Sequence, residues 1–230
     1  APTNIELANS VKYIILAVKP QCYEEVIRNI RNVVTRDKIV ISLAPGITVA
    51  DIRDMFGSDV RVVRCMPNTP ALIGEGMTGV AYNTKEYDLE EKDVISKFFS
   101  SFGKFRIVEE KLLNTVTCVS GSSPAYVYMF IEALADSAVK YGMSRADAIE
   151  FAAMTVKGAA DMVLTTGQPK VSDNNSALIS VCFLSLTSVL LSATTTGIPS
   201  SKSCVVKKRL RLRLVASTIL MITSGLSVLI

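Results

Sequence analysis

The sequence predicts an α/β fold with a mostly parallel sheet, followed by an all-helical domain. Three observations carry this. Short apolar, β-branched runs alternate with helically spaced apolar residues up to about residue 110; from Lys111 the spacing is helical throughout; and charge and composition change abruptly after Asp173.

Residues 11–18 (VKYIILAV) form a buried strand closed by Lys19-Pro20. Residues 24–34 follow as a helix, with Val26, Ile27, Ile30, Val33 and Val34 on one face. Residues 39–43 are a second strand, expected beside the first, and Pro45-Gly46 turns the chain. Thr48 and Asp51 have capping-box spacing and open the next helix. Residues 60–64 are a third strand, 65–76 (CMPNTPALIGEG) a loop, and 77–82 a fourth strand. Asp88 and Glu91 signal a helix reaching about Phe102, and 104–108 is a fifth strand.

In the helical part, Ser122-Ser123-Pro124 reads as an N-cap followed by proline at the first helical position. That helix stops at Gly142. Ser144 and Asp147 cap another, which ends before Gly167. Alanines on both helices, Ala138 and Ala152 among them, allow close approach. The expected domains are 1–110, 111–169 and a divergent tail over 170–230.

The composition narrows the chemistry. The 230 residues contain no histidine, which excludes Ser-His-Asp and Cys-His catalysis and imidazole metal sites. Five cysteines, none spaced as CxxC, read as reduced thiols in a cytoplasmic protein, with no zinc site and no disulfide framework. The net charge of +4 is uneven. Six of the 25 Lys and Arg follow Asp173, the last acidic residue, so residues 1–173 carry −2 and the rest +6. This gives no reason to expect nucleic acid as a partner. Residues 1–10 lack the basic and apolar regions of a signal peptide, and the chain reads as starting inside a domain. Residues 214–230 hold 17 residues without a charge, at the lower limit for a membrane span. The favoured reading is that they pack on their own protein, without a membrane.

No Gly-x-Gly-x-x-Gly turn follows a strand to lay a pyrophosphate on a helix N-terminus. The sheet pattern is still one that binds ligands at the carboxyl ends of strands. Ala17-Val18-Lys19-Pro20 lies at one such end and Cys65-Met66-Pro67-Asn68-Thr69-Pro70 at another. Two rigid, proline-bearing loops there can build one side of a flat cofactor pocket. Each loop alone can equally be an ordinary turn.

Three segments carry a family resemblance: Ile14-Ile15-Leu16-Ala17-Val18-Lys19-Pro20-Gln21, Arg64-Cys65-Met66-Pro67-Asn68-Thr69-Pro70-Ala71 and Val119-Ser120-Gly121-Ser122-Ser123-Pro124-Ala125-Tyr126. In order and spacing they closely resemble pyrroline-5-carboxylate reductase over about residues 4–169. The resemblance implies a Rossmann-type parallel sheet, incomplete at the N-terminus, and an all-helical dimerisation domain. It implies reduction of 1-pyrroline-5-carboxylate to L-proline by hydride transfer from NADPH or NADH, in a homodimer or higher homo-oligomer. Ala17, Val18, Lys19 and Pro20 match the family's loop beside the ribose and nicotinamide. Cys65, Met66 and Pro67 match the loop on the nicotinamide side, with Asn68 next to them. Lys19 can contact cofactor or substrate carboxylate. Ser120 to Ser123 are expected to cap a helix. No side chain is assigned to catalysis; a hydroxyl or water is expected to protonate the imine nitrogen.

Two departures follow from the resemblance. The family's first strand and Gly-rich turn would precede Ala1, and no Ser-Pro-Gly-Gly-Thr-Thr-type loop follows Gln168-Pro169. The chain alone is therefore expected to show little or no reductase activity. A change of reading frame between residues 174 and 177 is expected to explain the tail. The alternatives are an inactive remnant that associates with intact subunits, a membrane-anchored adaptor, and another oxidoreductase of the 6-phosphogluconate-dehydrogenase-like or prephenate-dehydrogenase-like kind.

Overall fold

The computed structural model describes residues 3–168 and 226–229. The expected tail over 170–230 lies outside these residues except for its four-residue strand. Two compact units divide between Pro124 and Ala125.

The first unit begins with α1 (Asn4–Ser10), for which the strand and helix pattern gave no expectation. Its signal is a capping box: Thr3 accepts from the Glu6 amide, and the Glu6 carboxylate accepts from the Thr3 amide. Then follow β1 (Tyr13–Leu16), α2 (Tyr23–Ile30), β2 (Ile39–Ser42), α3 (Val49–Phe56), β3 (Arg61–Met66), β4 (Gly76–Ala81), α4 (Leu89–Ser100) and β5 (Gly103–Ile107). The boxes at Thr48/Asp51 and Asp88/Glu91 both form.

The sheet order is β5-β4-β3-β2-β1-β6, where β6 is Leu226–Leu229. Strands β1, β2, β3 and β6 run parallel, with Tyr13 opposite Ile39 and Ile39 opposite Arg61. The expected parallel neighbours β1 and β2 are thus in place. β4 is antiparallel to β3, and β5 is parallel to β4. The connection from Met66 to Gly76 is too short for a parallel crossover, which needs a dozen or more residues.

Strand geometry sorts the core into two layers, because successive side chains point to opposite faces. Ile14, Leu16, Val40 and Val62 face Tyr23, Ile27, Ile30, Ile52 and Phe56 of α2 and α3. Tyr13, Ile15, Ile39, Ile41, Val63 and Cys65 face the other way, onto Ile95 and Phe99 of α4. Complete burial of each large aliphatic side chain contributes about 1.5–3 kcal/mol.

After β5 come α5 (Leu113–Val116), a wide π-turn over Thr117–Gly121, and α6 (Ser123–Lys140). Ser122 is therefore not an N-cap. Its backbone is already helical, and its N–H donates to the Thr117 carbonyl at 2.9 Å. Nor do Ser120 and Ser123 cap: the Ser123 hydroxyl donates back to the Cys118 carbonyl. Proline has no N–H and its ring crowds the carbonyl four residues back. The wider turn just before Pro124 gives that ring room.

In the second unit α6 and α7 (Arg145–Thr166) pack through the buried alanines Ala135, Ala148 and Ala152. Ser144 caps α7, accepting from the Asp147 amide at 3.1 Å. Gly142 and Gly167, both with positive φ, follow the two helices as expected. Many large apolar residues remain exposed here, Tyr126, Met129, Phe151, Met154, Met162 and Leu164 among them. Among the described residues no helix is long and apolar enough to cross a membrane.

Candidate functional site

The parallel run of β1, β2 and β3 brings their carboxyl ends to one edge of the sheet. Both proline-bearing loops leave from that edge. At the end of β1, Ala17, Lys19 and Pro20 are exposed and Val18 is half-buried against the α2/α3 layer. Pro20 opens a short 3-10 turn in which the Cys22 amide donates to the Lys19 carbonyl at 2.8 Å, and the turn runs directly into α2. At the end of β3, Met66, Pro67 and Asn68 are half-buried. A second 3-10 turn, Thr69–Ile73, carries the chain away.

A seam of polar groups ties the three strand ends together. The Tyr23 hydroxyl donates to the Leu16 carbonyl at 2.8 Å. Its single proton is thereby engaged, so it accepts from Ser42 Oγ at 3.1 Å. The Ser42 carbonyl in turn accepts from Cys65 Sγ at 3.3 Å. All three side chains are buried, and burial pushes the Tyr23 phenol and the Cys65 thiol above their ordinary pKa values. Cys65 thus stays protonated and contributes to the loop through its backbone and its packing, not as a nucleophile.

Beside this seam Arg64 is 5% exposed, and its guanidinium meets Glu110 Oε1 at 3.1 Å. The same oxygen accepts the Val49 amide at 2.8 Å. Asn68 directs its amide to Ser120 and to the backbone of Met77. Met66 lies against Gly121, where a Cβ would come within 2.8 Å of its terminal methyl.

The predicted loop residues are therefore on one edge, with Ala17, Lys19 and Pro20 exposed and the Cys65 side chain buried in the α4-facing core. The supporting groups Tyr23, Ser42, Arg64, Glu110 and Ser120 were not singled out for these roles by the sequence. A Gly-x-Gly-x-x-Gly spacing does occur at Gly74, Gly76 and Gly79, but it follows a 3-10 turn instead of a strand, runs into β4 and opens no helix. Gly76 and Gly79 serve packing: a Cβ on Gly76 would lie 2.7 Å from the Phe102 carbonyl, and one on Gly79 would lie 2.9 Å from Val116.

Parallel strands covered by helices on both faces, with loops gathered at their carboxyl ends and a helical unit following in sequence, define a Rossmann-like α/β protein. The family model for pyrroline-5-carboxylate reductase dimerisation matches residues 110–199 and so continues past residue 169. The pyrroline-5-carboxylate reductase of Escherichia coli (strain K12) is 44% identical over 163 residues, 71% of this chain and 60% of that protein. The corresponding protein of Glycine max is 37% identical over 167 residues, 73% of this chain and 60% of that one. The solved structure of Plasmodium falciparum pyrroline carboxylate reductase with NADP bound superposes with a TM-score of 0.70 at 32% identity, covering 85% of this chain and 76% of that one. The chain belongs to the pyrroline-5-carboxylate reductase family. It spans about three fifths of the length of the curated relatives it matches.

Proposed function

We propose that this chain serves the reduction of 1-pyrroline-5-carboxylate to L-proline, with NADPH or NADH as hydride donor. The observation that carries the reading is the convergence of the Ala17–Pro20 and Met66–Pro67 loops on one edge of the sheet, in a member of this family. The relative whose structure holds NADP supports the choice of cofactor class.

The residues present fit the nicotinamide half of such a cofactor. Ala17 and Pro20 offer a low, open wall, with no bulky side chain between their backbone and a flat ring. Lys19 is an exposed cation beside it, suited to a phosphate or to the substrate carboxylate. Met66 and Pro67, half-buried at the end of β3, would offer the ring an apolar surface. The cofactor supplies the hydride, and the chain's task is to hold it and orient the imine toward it. With no histidine in the chain, a hydroxyl or an ordered water is the proton source for the imine nitrogen.

The exposed apolar side chains of α6 and α7, together with the dimerisation match, support a homodimer as the working form. They equally favour a second reading, in which the chain associates with intact subunits of its kind without turning over. The cytoplasm is the proposed compartment.

The experiment is NADPH oxidation driven by 1-pyrroline-5-carboxylate, run on the chain alone and mixed with an intact relative. Substrate-dependent oxidation that is weak for the chain alone, and weaker still in Lys19→Ala, is the expected result. Turnover of a hydroxyacid but not of the cyclic imine would overturn the proposal. Hetero-oligomers in the mixture, with no turnover by the chain alone, would select the second reading.

A further inference from the structure

β3 cannot continue past Met66, because Pro67 has no N–H to give. Its ladder with β4 pairs Arg64 with Ala81, Cys65 with Val80 and Met66 with Gly79, and stops there. Two residues along β4, the peptide groups of Met77 on the same edge have no backbone strand opposite them. Side chains take that place. The Met77 N–H donates to Asn68 Oδ1 at 2.9 Å, and the Met77 carbonyl accepts from Ser120 Oγ at 3.1 Å. Asn68 Nδ2 closes the ring by donating to Ser120 Oγ at 3.1 Å.

The chemistry of this ring is specific. A carboxamide carries the donor and acceptor of a peptide group, so Asn68 extends the ladder past the proline. Its orientation is fixed, since a flipped amide would set NH2 against the Met77 N–H. Ser120 gives its one proton to Met77 and receives one from Asn68. It reaches both because the π-turn of Thr117–Gly121 turns it onto β4; such wide turns recur at functional sites. The next residue, Gly121, leaves room for the Met66 methyl, since any Cβ there would lie 2.8 Å from it. Leu113 and Val116, one turn earlier, sit on Gly79.

We propose that Asn68 and Ser120 are positioning residues. They fasten the Met66–Pro67 turn to β4 and to the π-turn, and so set where the Met66 side chain stands at the ligand edge. Asn68 thus acts through Met66 and does not contact the cofactor. What Met66 faces rests on the proposed reductase reading; the clamp itself does not.

The test uses the full chain labelled with carbon-13 at the methionine methyls, the Met66 signal being assigned with Met66→Leu. Asn68→Asp removes the donor to Ser120, Ser120→Ala removes both serine bonds, and Ser120→Thr keeps the hydroxyl. In Asn68→Asp and Ser120→Ala the Met66 methyl signal is expected to move toward that of a solvent-exposed methionine, and in Ser120→Thr to stay. NADPH affinity, measured by titration, is expected to fall about tenfold in the first two, the equivalent of one lost hydrogen bond. An unmoved Met66 signal in both variants would overturn the proposal. So would an equal shift in Ser120→Thr, or shifted signals with unchanged NADPH affinity, which would make the clamp merely structural. Should Ser120→Ala not fold, Asn68→Asp alone decides. If the unmodified chain binds no NADPH, the reductase reading fails, while the methyl signals still decide whether the clamp holds Met66.

Discussion

Tyr23 and Ser42 lie 3.1 Å apart, hydroxyl to hydroxyl, and their contact joins the first turn of α2 to the last residue of β2. Because Tyr23 also bonds the Leu16 carbonyl, this one side chain holds the point where the Ala17–Pro20 loop leaves the sheet. Tyr23→Phe leaves two buried polar groups short of a partner, and a loss of about 1–2 kcal/mol is expected. Thermal unfolding measures the loss. Hydrogen exchange of residues 17–22 should accelerate more than that of the β2 amides, since the loop loses its tether.

Gly103 and Gly76 start the β4–β5 ladder at unusually close range. Gly103 has φ +142°, and a methyl on it would lie 2.2 Å from the Gly76 carbonyl oxygen and 2.4 Å from its nitrogen. Both atoms are backbone, so no rotamer relieves the overlap. Gly103→Ala is expected to cost more than about 3 kcal/mol. Gly46→Ala is the control: φ is +80° but nothing lies within 4 Å, so only the backbone penalty of about 1–2 kcal/mol applies. Urea midpoints of the two variants should separate accordingly.

Glu91 gives the fold an acid limit. Burial pushes its carboxyl up, but hydrogen bonds from Arg61, Lys12 and the Asp88 amide outweigh this and hold it at about 2. In the unfolded chain a glutamate titrates near ~4.3. The folded state therefore binds this proton more weakly, and its stabilisation is complete above about pH 4.3 and lost as pH falls through about 2. Glu91→Gln should be less stable than the parent at neutral pH and lose less on acidification. Urea midpoints of the two proteins are expected to converge toward about pH 2.

Thr78 and Tyr87 bury hydroxyls that meet no hydrogen-bond partner among the described residues. Thr78→Val and Tyr87→Phe remove them at nearly constant shape. Each change is expected to be neutral or to stabilise by up to ~1 kcal/mol. Tyr87→Phe keeps the edge-to-face contact with Tyr82 at 5.0 Å between ring centres. A melting temperature lowered by several degrees in either variant would contradict this.

Much of the fold was legible because its signals are local. The apolar runs at β1 and β2 and the caps at Thr48, Asp88 and Ser144 need only a few residues of context. Thr3 and Glu6 carry the same signal, but they precede the first apolar run and so have no apolar stretch to frame them. Ser122-Ser123-Pro124 carries a start signal that the upstream turns override, since the chain is already helical from Leu113. The direction of β4 was written in the shortness of its connection to β3. The two loops at the carboxyl edge of the sheet were readable as motifs, and their supports were not. Asn68 meets Ser120 across 52 positions of sequence, and Tyr23 meets Ser42 across 19, so no local pattern announces either pair.

The burial of Cys65 has a practical consequence. Its thiol is 2% exposed and protonated, so alkylating reagents reach it only when the sheet opens. Cys118, exposed on the π-turn, is accessible in the native state and serves as the reference site. Peptide mapping of the two after timed alkylation then gives the opening rate of the α/β unit directly. Loss of Cys65 protection upon Tyr23→Phe would register slackening of the strand ends long before any change in bulk helix content.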